Sequence, residues 1–465
     1  MSMNRRLSCA LLAASGLVAP QFAMAATTER EAALEARLEA LEAQMQQLRA
    51  DLAQAREAQA NDKAQAEQAI AAVSTQNTEV ATKVAAVEKE QKKDGFTVGS
   101  TTFKMGGFVK VNATATRYDS GEVGTASLGE EFYYPQQIPI GNGPASEDFT
   151  ATARQTRLWF SGSAPVGDKE IKGYVEFDFA ISTAPAGAQR ATNPYAPNLR
   201  RAFIQYDKWL IGQEWSTFEN VAVLPETTDF VGTTEGTVFN RQPMIRYTTK
   251  LKPGLALALA LENPETEAIA VAGNSFTDYD DDILPDFVAR LDLASGKSSF
   301  SLAGVARQLR TQVAGDTNTA FGWGVSGAGK IVFGPGGRHD LRFMATYGQG
   351  VGRYLGLGYV ADAAQSADGS LEAVENLAAF AALKLGLGGT VRSTIMGSYQ
   401  TAYYPDGFLV GTLANKTAWS AAANLFWSPA SRFDVGVEYR HGVRETVSGV
   451  DGALDRMEFA AKYSF

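Results

Sequence analysis

The chain has 465 residues, a formal net charge of −9 and one cysteine, Cys9. The acidic balance argues against a nucleic-acid-binding protein, which would need a basic surface, and one cysteine cannot build an intrachain disulfide framework. No apolar run reaches the roughly 18 residues of a membrane-spanning helix. The hydropathy is therefore compatible with a soluble protein, or with a membrane barrel in which only every second residue of a strand faces lipid.

The first 25 residues have the pattern of a secretory signal peptide. Arg5 and Arg6 give a basic start, residues 7–18 form a short apolar run, and residues 23–25 supply a small-residue cleavage site. We predict cleavage after residue 25. Because Cys9 lies at the start of the apolar run rather than after it, it is not placed for lipid attachment, and the exported chain would contain no cysteine.

Residues 26–94 are predicted to form a periplasmic α-helical coiled coil. Residues 28–93 contain no glycine, proline or aromatic residue, which favours a long helix. Apolar residues alternate at spacings of four and three, the seam of a coiled coil: Leu34, Leu38, Leu41, Met45, Leu48 and Leu52. After a register shift of about four residues, the seam resumes as Ile70, Val73, Asn77, Val80, Val84 and Val87.

Asn77 occupies an a position of the second half of the seam. A polar residue there lowers stability but fixes register and oligomeric state; the alternative is a tolerated surface asparagine at a frayed end. Because the second half of the seam is β-branched, it favours more than two strands. We predict a parallel homotrimer, because a trimer of the barrels expected below would bring three N-termini together.

From Phe96 onward the hydrophobic period becomes two residues, the period of a strand. In residues 171–181, for example, Lys172, Glu176 and Asp178 alternate with apolar side chains and glycine, as expected for a strand with one face toward lipid and one toward water. This alternation predicts about sixteen strands, whose ends are located to within two to four residues. They are 102–118, 150–164, 169–182, 198–207, 209–215, 240–252, 254–263, 284–294, 297–310, 318–333, 339–348, 375–386, 390–404, 412–428, 431–443 and 453–465.

The connections between these strands alternate between short turns and mostly longer segments. The longer ones are 119–149, 183–197, 216–239, 264–283 and 349–374. Short periplasmic turns alternating with long external loops are typical of membrane barrels, and roughly sixteen strands leave an aqueous channel. Residues 95–465 are therefore predicted to form an all-β transmembrane barrel of antiparallel strands, with both ends on the periplasmic side.

The final strand and several other segments carry a family resemblance. The apolar alternation that ends at Phe465 resembles the closing strand of outer-membrane barrels, whose last aromatic residue is bound by the barrel assembly machinery; the alternative is an ordinary amphipathic strand. With the signal peptide, the coiled coil and residues 103–110, 157–160 and 463–465, the chain resembles the DcaP-like outer-membrane porins, named for dicarboxylic-acid uptake. The resemblance implies a trimeric porin for small anionic solutes such as dicarboxylates.

The connection 216–239 would be the third external loop, which in porins commonly folds into the lumen and narrows it. The alternative is a loop exposed outside the barrel. The predicted constriction residues are Phe218, Glu219, Glu226, Asp229 and Glu235.

Six arginines are expected to face the lumen by strand parity: Arg157, Arg201, Arg246, Arg290, Arg307 and Arg342. A charge on the lipid face costs about 2–4 kcal/mol at the bilayer midplane, so the inward direction is the default. Rings of arginine favour anions, and guanidinium binds carboxylate through two parallel hydrogen bonds. The alternative is that these arginines pair with Glu176, Asp178, Glu262 or Asp292.

The sequence gives no reason to expect an enzyme, a cofactor or a metal centre. His339 and His441 should lie at opposite ends of the barrel, and a pair of His441 with Ser448 would lack a third catalytic group. The acidic run 278–282 could bind calcium, or could be a solvated loop. The function is then a passive anion channel, an envelope tether contacting peptidoglycan or a periplasmic protein, or a loop-plugged surface receptor.

Overall fold

The computed structural model describes residues 95–465 except 125–126, 181–191, 194, 280 and 314, together with the helical residues 37, 39, 42, 43, 45–47 and 50. Contacts divide the chain into two units, Met1–Lys93 and Asp94–Phe465. No helix within the described ranges is long and apolar enough to cross a membrane. The predicted seam residues Leu34, Leu38, Leu41, Leu48, Asn77, Val80 and Val84 lie outside the described residues, so the coiled coil stays a prediction.

Strands make up nearly all of the regular secondary structure in the described part of the second unit. Its strands are β1 (Phe96–Val98), β2 (Thr101–Tyr118), β3 (Ser146–Thr152), β4 (Arg157–Val166), β5 (Lys169–Asp178), β6 (Asn198–Tyr206), β7 (Trp209–Trp215), β8 (Arg241–Lys252), β9 (Leu255–Glu262), β10 (Glu267–Ile269), β11 (Phe276–Asp278), β12 (Asp286–Ser295), β13 (Ser298–Val313), β14 (Asp316–Phe333), β15 (His339–Gln349), β16 (Ala363–Gln365), β17 (Leu371–Ala373), β18 (Glu375–Gly386), β19 (Val391–Tyr403), β20 (Asn415–Ala430), β21 (Phe433–Thr446) and β22 (Asp451–Ser464). A short helix, α1 (Leu128–Glu131), and single 3-10 turns at Pro135–Gln137, Val221–Val223, Pro335–Gly337 and Gly352–Tyr354 lie between them.

The strands occupy sixteen successive positions around the wall of one closed antiparallel barrel, as predicted. Closure occurs where β22 pairs with β2, from Ser464 opposite Phe108 to Leu454 opposite Tyr118. Along its other edge β2 pairs with β3 and then with β4, so these two strands share one wall position.

The predicted second strand, 150–164, is interrupted at residues 153–156. Arg154 and Gln155 are buried there and leave the strand ladder. Arg154 Nε donates to the carbonyl oxygen of Phe179 at 3.1 Å, and Gln155 Oε1 accepts from Lys110 Nζ at 2.6 Å. The strand breaks because these polar side chains find partners inside the barrel.

The two faces of the wall differ in the way that a lipid-embedded barrel requires. In β22, Met457 and Phe459 are 48% and 45% exposed, whereas Arg456 and Glu458 on the opposite face are 2% and 3% exposed. Apolar side chains therefore point outward and polar side chains inward, the alternation of membrane barrels.

Long loops close over one end of the barrel and short turns connect strands at the other. The loops used below are the first (119–145), third (216–240), fourth (263–285) and sixth (350–374). The fourth and sixth loops together form a four-stranded sheet, β11-β10-β16-β17, in which β10 and β16 are parallel. The outer end of the barrel is thus built from segments far apart in sequence.

Candidate functional site in the barrel lumen

The third loop runs along the inside of the barrel wall. Near its start, Ser216 Oγ donates to Glu262 Oε2 of β9 at 2.7 Å. Halfway along, the carbonyl oxygen of Thr228 accepts from Lys110 Nζ of β2 at 2.6 Å. Residues 231–239 are all buried. The loop therefore contacts wall strands on both sides of the lumen.

The five residues predicted for the constriction have different surroundings. Phe218 is buried with its ring edge-on to Tyr354, centroids 5.6 Å apart. Glu219 is buried and accepts the Asn240 amide at 3.4 Å. Only the Glu226 carboxylate is substantially open, with its side chain 23% exposed.

Asp229 and Glu235 bind the first loop instead of facing water. Asp229 Oδ1 accepts the backbone amide of Tyr133 at 2.9 Å, and the Tyr133 hydroxyl donates to Glu235. Ser398 Oγ also donates to Glu235, at 2.6 Å. These two carboxylates are 3% and 0% exposed, so they stabilise the loops and present no charge to a solute.

Four of the six predicted arginines form local contacts on the lumen side of the wall, with partly exposed guanidinium groups. Their contacts are Arg157 with Asp178 at 3.4 Å, Arg201 with Glu214 at 2.5 Å, Arg290 with Asp292 at 3.0 Å and Arg342 with Asp340 at 2.6 Å. Arg246, also half-buried, donates to the carbonyl oxygen of Trp215 at 3.3 Å. Local pairing with carboxylates, the alternative left open by the sequence, therefore does occur.

In three of these pairs the arginine is more exposed than its carboxylate. Side-chain exposure is 24% for Arg157 against 0% for Asp178, 23% for Arg201 against 6% for Glu214, and 14% for Arg342 against 9% for Asp340. The pair of Arg290 and Asp292 is the exception, at 20% and 36%. In the three pairs, the more accessible charge is positive.

The expectation that Arg307 lines the channel is wrong. Its side chain is 0% exposed and lies 3.0 Å from Asp362 and 3.4 Å from Asp286. Asp362 belongs to the sixth loop, which folds over the outer end of β13. Arg307 therefore holds a loop and offers no surface to a solute.

Strict alternation of inward and outward residues also does not predict that Arg200 faces the lumen. A bulge between β5 and β6 leaves Arg200 without an opposite residue in the strand register, because Glu176 pairs with Arg201 and Phe177 with Leu199. Consecutive arginines consequently both point inward. Arg200 donates to Glu176 at 2.9 Å and to Asp178 at 2.5 Å. The two acidic residues on the facing strand were the sequence signal for this second inward arginine.

A second cluster surrounds Arg392, which is not among the six arginines predicted to face the lumen. Its Nε and Nη2 donate to the two oxygens of Glu226 at 2.7 and 2.6 Å. Arg392 Nη2 also contacts Asp434 at 2.9 Å, and Lys384 Nζ lies 3.5 Å from Glu226. Arg392 lies on the same strand face as Thr394, so alternation could have identified it; its partner in a distant loop could not be inferred.

The residues considered for catalysis or metal binding have other partners. His441 Nδ1 pairs with Asp455 at 2.9 Å, whereas Ser448 Oγ lies 3.2 Å from Thr446 Oγ1. In the acidic run, Asp282 accepts from Thr266 at 2.7 Å. Over the part of the chain that the structure describes, no three His, Cys, Asp or Glu residues gather as a metal site would require.

Comparison with known proteins gives a consistent assignment. A family described as DcaP outer membrane protein matches residues 65–465. Among solved structures, the chain is similar to the outer membrane channel DcaP of Acinetobacter baumannii, with 27% identity and a TM-score of 0.66, covering 80% of this chain and 99% of that chain.

Weaker likenesses reach other outer-membrane proteins. Outer-membrane-expressed OmpT of Vibrio cholerae has 11% identity and a TM-score of 0.49, with 80% of this chain and 99% of that chain covered. The anion-selective porin from Comamonas acidovorans has 9% identity and a TM-score of 0.48, with 78% and 100% covered. No curated protein sequence matches the chain.

Proposed function

Because this chain belongs to the DcaP outer membrane protein family, we propose that it passes small hydrophilic anions, dicarboxylates among them, by passive diffusion through an arginine-lined constriction. Membership in the family makes the chain an outer-membrane porin. The anion preference and the narrowing by the third loop are the parts that we propose.

One observation carries the proposal. Arg157, Arg201 and Arg342 keep more exposed surface than the carboxylates paired with them. A solute in the lumen would therefore meet guanidinium groups first, and these bind carboxylates through paired hydrogen bonds. Successive arginines on different wall strands would exchange a carboxylate without trapping it, as conduction requires.

We further propose that residues 26–94 form a periplasmic coiled coil that holds three barrels together, and that Phe465 contacts the barrel assembly machinery. Analytical ultracentrifugation of residues 26–94 tests the first part. A trimer at micromolar concentration supports it, and a monomer at high concentration removes this segment as the oligomerising element.

A second candidate function is a surface receptor with a blocked pore. The buried third loop and the first loop bound to it favour this reading, because they occupy lumen space. The purified full-length protein in a planar bilayer under a potassium chloride gradient separates the two candidates. A reversal potential whose sign shows anion preference supports the channel proposal, and one whose sign shows cation preference contradicts it. The absence of any conductance favours the receptor.

A further inference from the structure

We propose that Lys384, Arg392 and Lys462 form a carboxylate-binding site on the lumen wall, and that the Glu226 side chain occupies this site until a solute carboxylate displaces it. The proposal rests on the proposed anion channel and extends it to a particular site with a built-in competitor.

Glu226 is bound in the way that a solute carboxylate would be. Arg392 donates to both of its oxygens, at 2.7 and 2.6 Å, the bidentate geometry that arginine uses for carboxylates. Lys384 Nζ adds a contact at 3.5 Å. Glu226 therefore stands where the carboxylate of a solute would bind.

The cations and the carboxylate come from different parts of the chain. Lys384, Arg392 and Lys462 lie on the wall strands β18, β19 and β22, whereas Glu226 lies on the third loop. One wall carboxylate, Asp434, remains at the site, 2.9 Å from Arg392 and 3.7 Å from Lys462. Without Glu226, three positive charges and one negative charge leave a net charge of +2, which matches a dicarboxylate.

The site is open enough for exchange. Side-chain exposure is 23% for Glu226, 19% for Arg392, 25% for Lys384 and 36% for Lys462. Asp229 and Glu235 of the same loop are, by contrast, almost fully buried. A solute could therefore reach Arg392 without unfolding the loop.

The loop backbone is held independently of the Glu226 side chain. Asn424 Nδ2 donates to the Glu226 carbonyl oxygen at 2.8 Å, and Arg342 donates to the Leu224 carbonyl oxygen. Rotation of one side chain would vacate the site while these backbone bonds remain. Exchange would thus be a local event, compatible with rapid conduction.

The test is the interruption of single-channel current by succinate, using the full-length protein in a planar bilayer. Glu226→Gln removes the competing charge, so the half-blocking succinate concentration should fall about tenfold, because the fraction of sites free to bind rises. Adding Arg392→Gln or Lys384→Gln to that variant should reverse the gain. Glu372→Gln, at an exposed residue of β17, makes the same charge change and should shift the value less than about twofold.

The outcomes separate this inference from the proposed function. If the wild type is anion-selective but Glu226→Gln leaves the half-blocking concentration unchanged, Glu226 only anchors the loop and the inference is wrong. If Glu372→Gln produces the same gain, net charge is responsible and the site is again excluded. Cation selectivity of the wild type would instead overturn the proposed function itself.

Discussion

The guanidinium of Arg307 in β13 lies 3.0 Å from the carboxylate of Asp362 in the sixth loop, and neither side chain is exposed. Arg307 also lies 3.4 Å from Asp286 of β12, whose carboxylate accepts the Tyr354 hydroxyl at 2.7 Å. Two wall strands and one loop thus share a buried charge cluster. This cluster fixes the sixth loop over the outer end of the barrel.

Asp362→Ala should loosen the sixth loop, because removing one partner of a buried ion pair leaves an uncompensated charge and typically costs about 3–5 kcal/mol. Hydrogen exchange of residues 350–374 measures the effect. Glu372→Ala, at an exposed position of the same loop, is the matched control and should change exchange much less. Equal exchange in both variants would contradict the assigned role of Arg307.

The sheet between the fourth and sixth loops should weaken as the pH rises. Burial, and next the negative charge of Asp362, raise the pKa of Glu267 in β10 to about 8 from a usual value of 4.5. A carboxyl whose folded pKa is raised contributes its full stabilisation below pH 4.5 and loses it as the pH approaches 8. Protection of β10 and β16 against hydrogen exchange, corrected for intrinsic rates, should fall across this window. Glu267→Gln should abolish the trend, and a parallel decline in both proteins would argue against Glu267.

A triple variant in which glutamine replaces Arg157, Arg201 and Arg246 should have a reversal potential closer to zero, because three partly exposed positive charges are removed from the lumen wall. Arg117→Gln alters an exposed position at the outer end of β2 and should have little effect. Unchanged anion selectivity in the triple variant would exclude an arginine-lined constriction.

The adjacent residues Arg200 and Arg201 should respond differently to substitution. Arg200→Gln leaves Glu176 and Asp178 without their buried partner, so the thermal unfolding temperature in detergent should drop. Arg201→Gln removes a side chain that is 23% exposed and leaves one carboxylate, Glu214, without its partner, so it should reduce anion preference with a smaller thermal loss than Arg200→Gln, which leaves two. Similar thermal losses in both variants would contradict the division of roles produced by the bulge.

Tyr133→Phe should separate the first loop from the third. The Tyr133 hydroxyl donates to the buried Glu235 carboxylate, and losing such a bond typically costs about 1–3 kcal/mol. We expect faster hydrogen exchange in residues 128–138 and more frequent closures in single-channel recordings. Tyr134→Phe, at a half-buried neighbour, removes the neighbouring hydroxyl and is the control; equal effects would show that the change does not depend on the bond to Glu235.

Several features of the protein follow from the sequence alone. Alternation with a period of two gave the sixteen wall positions and their order, because a strand between lipid and water must alternate apolar and polar side chains. The same parity placed Arg157, Arg201 and Arg342 on the lumen face, since a charge in lipid is costly. Local pattern is enough for such conclusions, because each strand faces the same two environments along its length.

Only the tertiary structure decided which of these arginines remain available. Arg307 became buried because the sixth loop carries Asp362 to it, and Arg200 turned inward because the pairing of β5 with β6 contains a bulge. Glu226 meets Arg392 across 166 positions of sequence. Contacts of this kind depend on loop paths and on strand register, which are set by the sum of many distant interactions and leave no periodic signal in the chain.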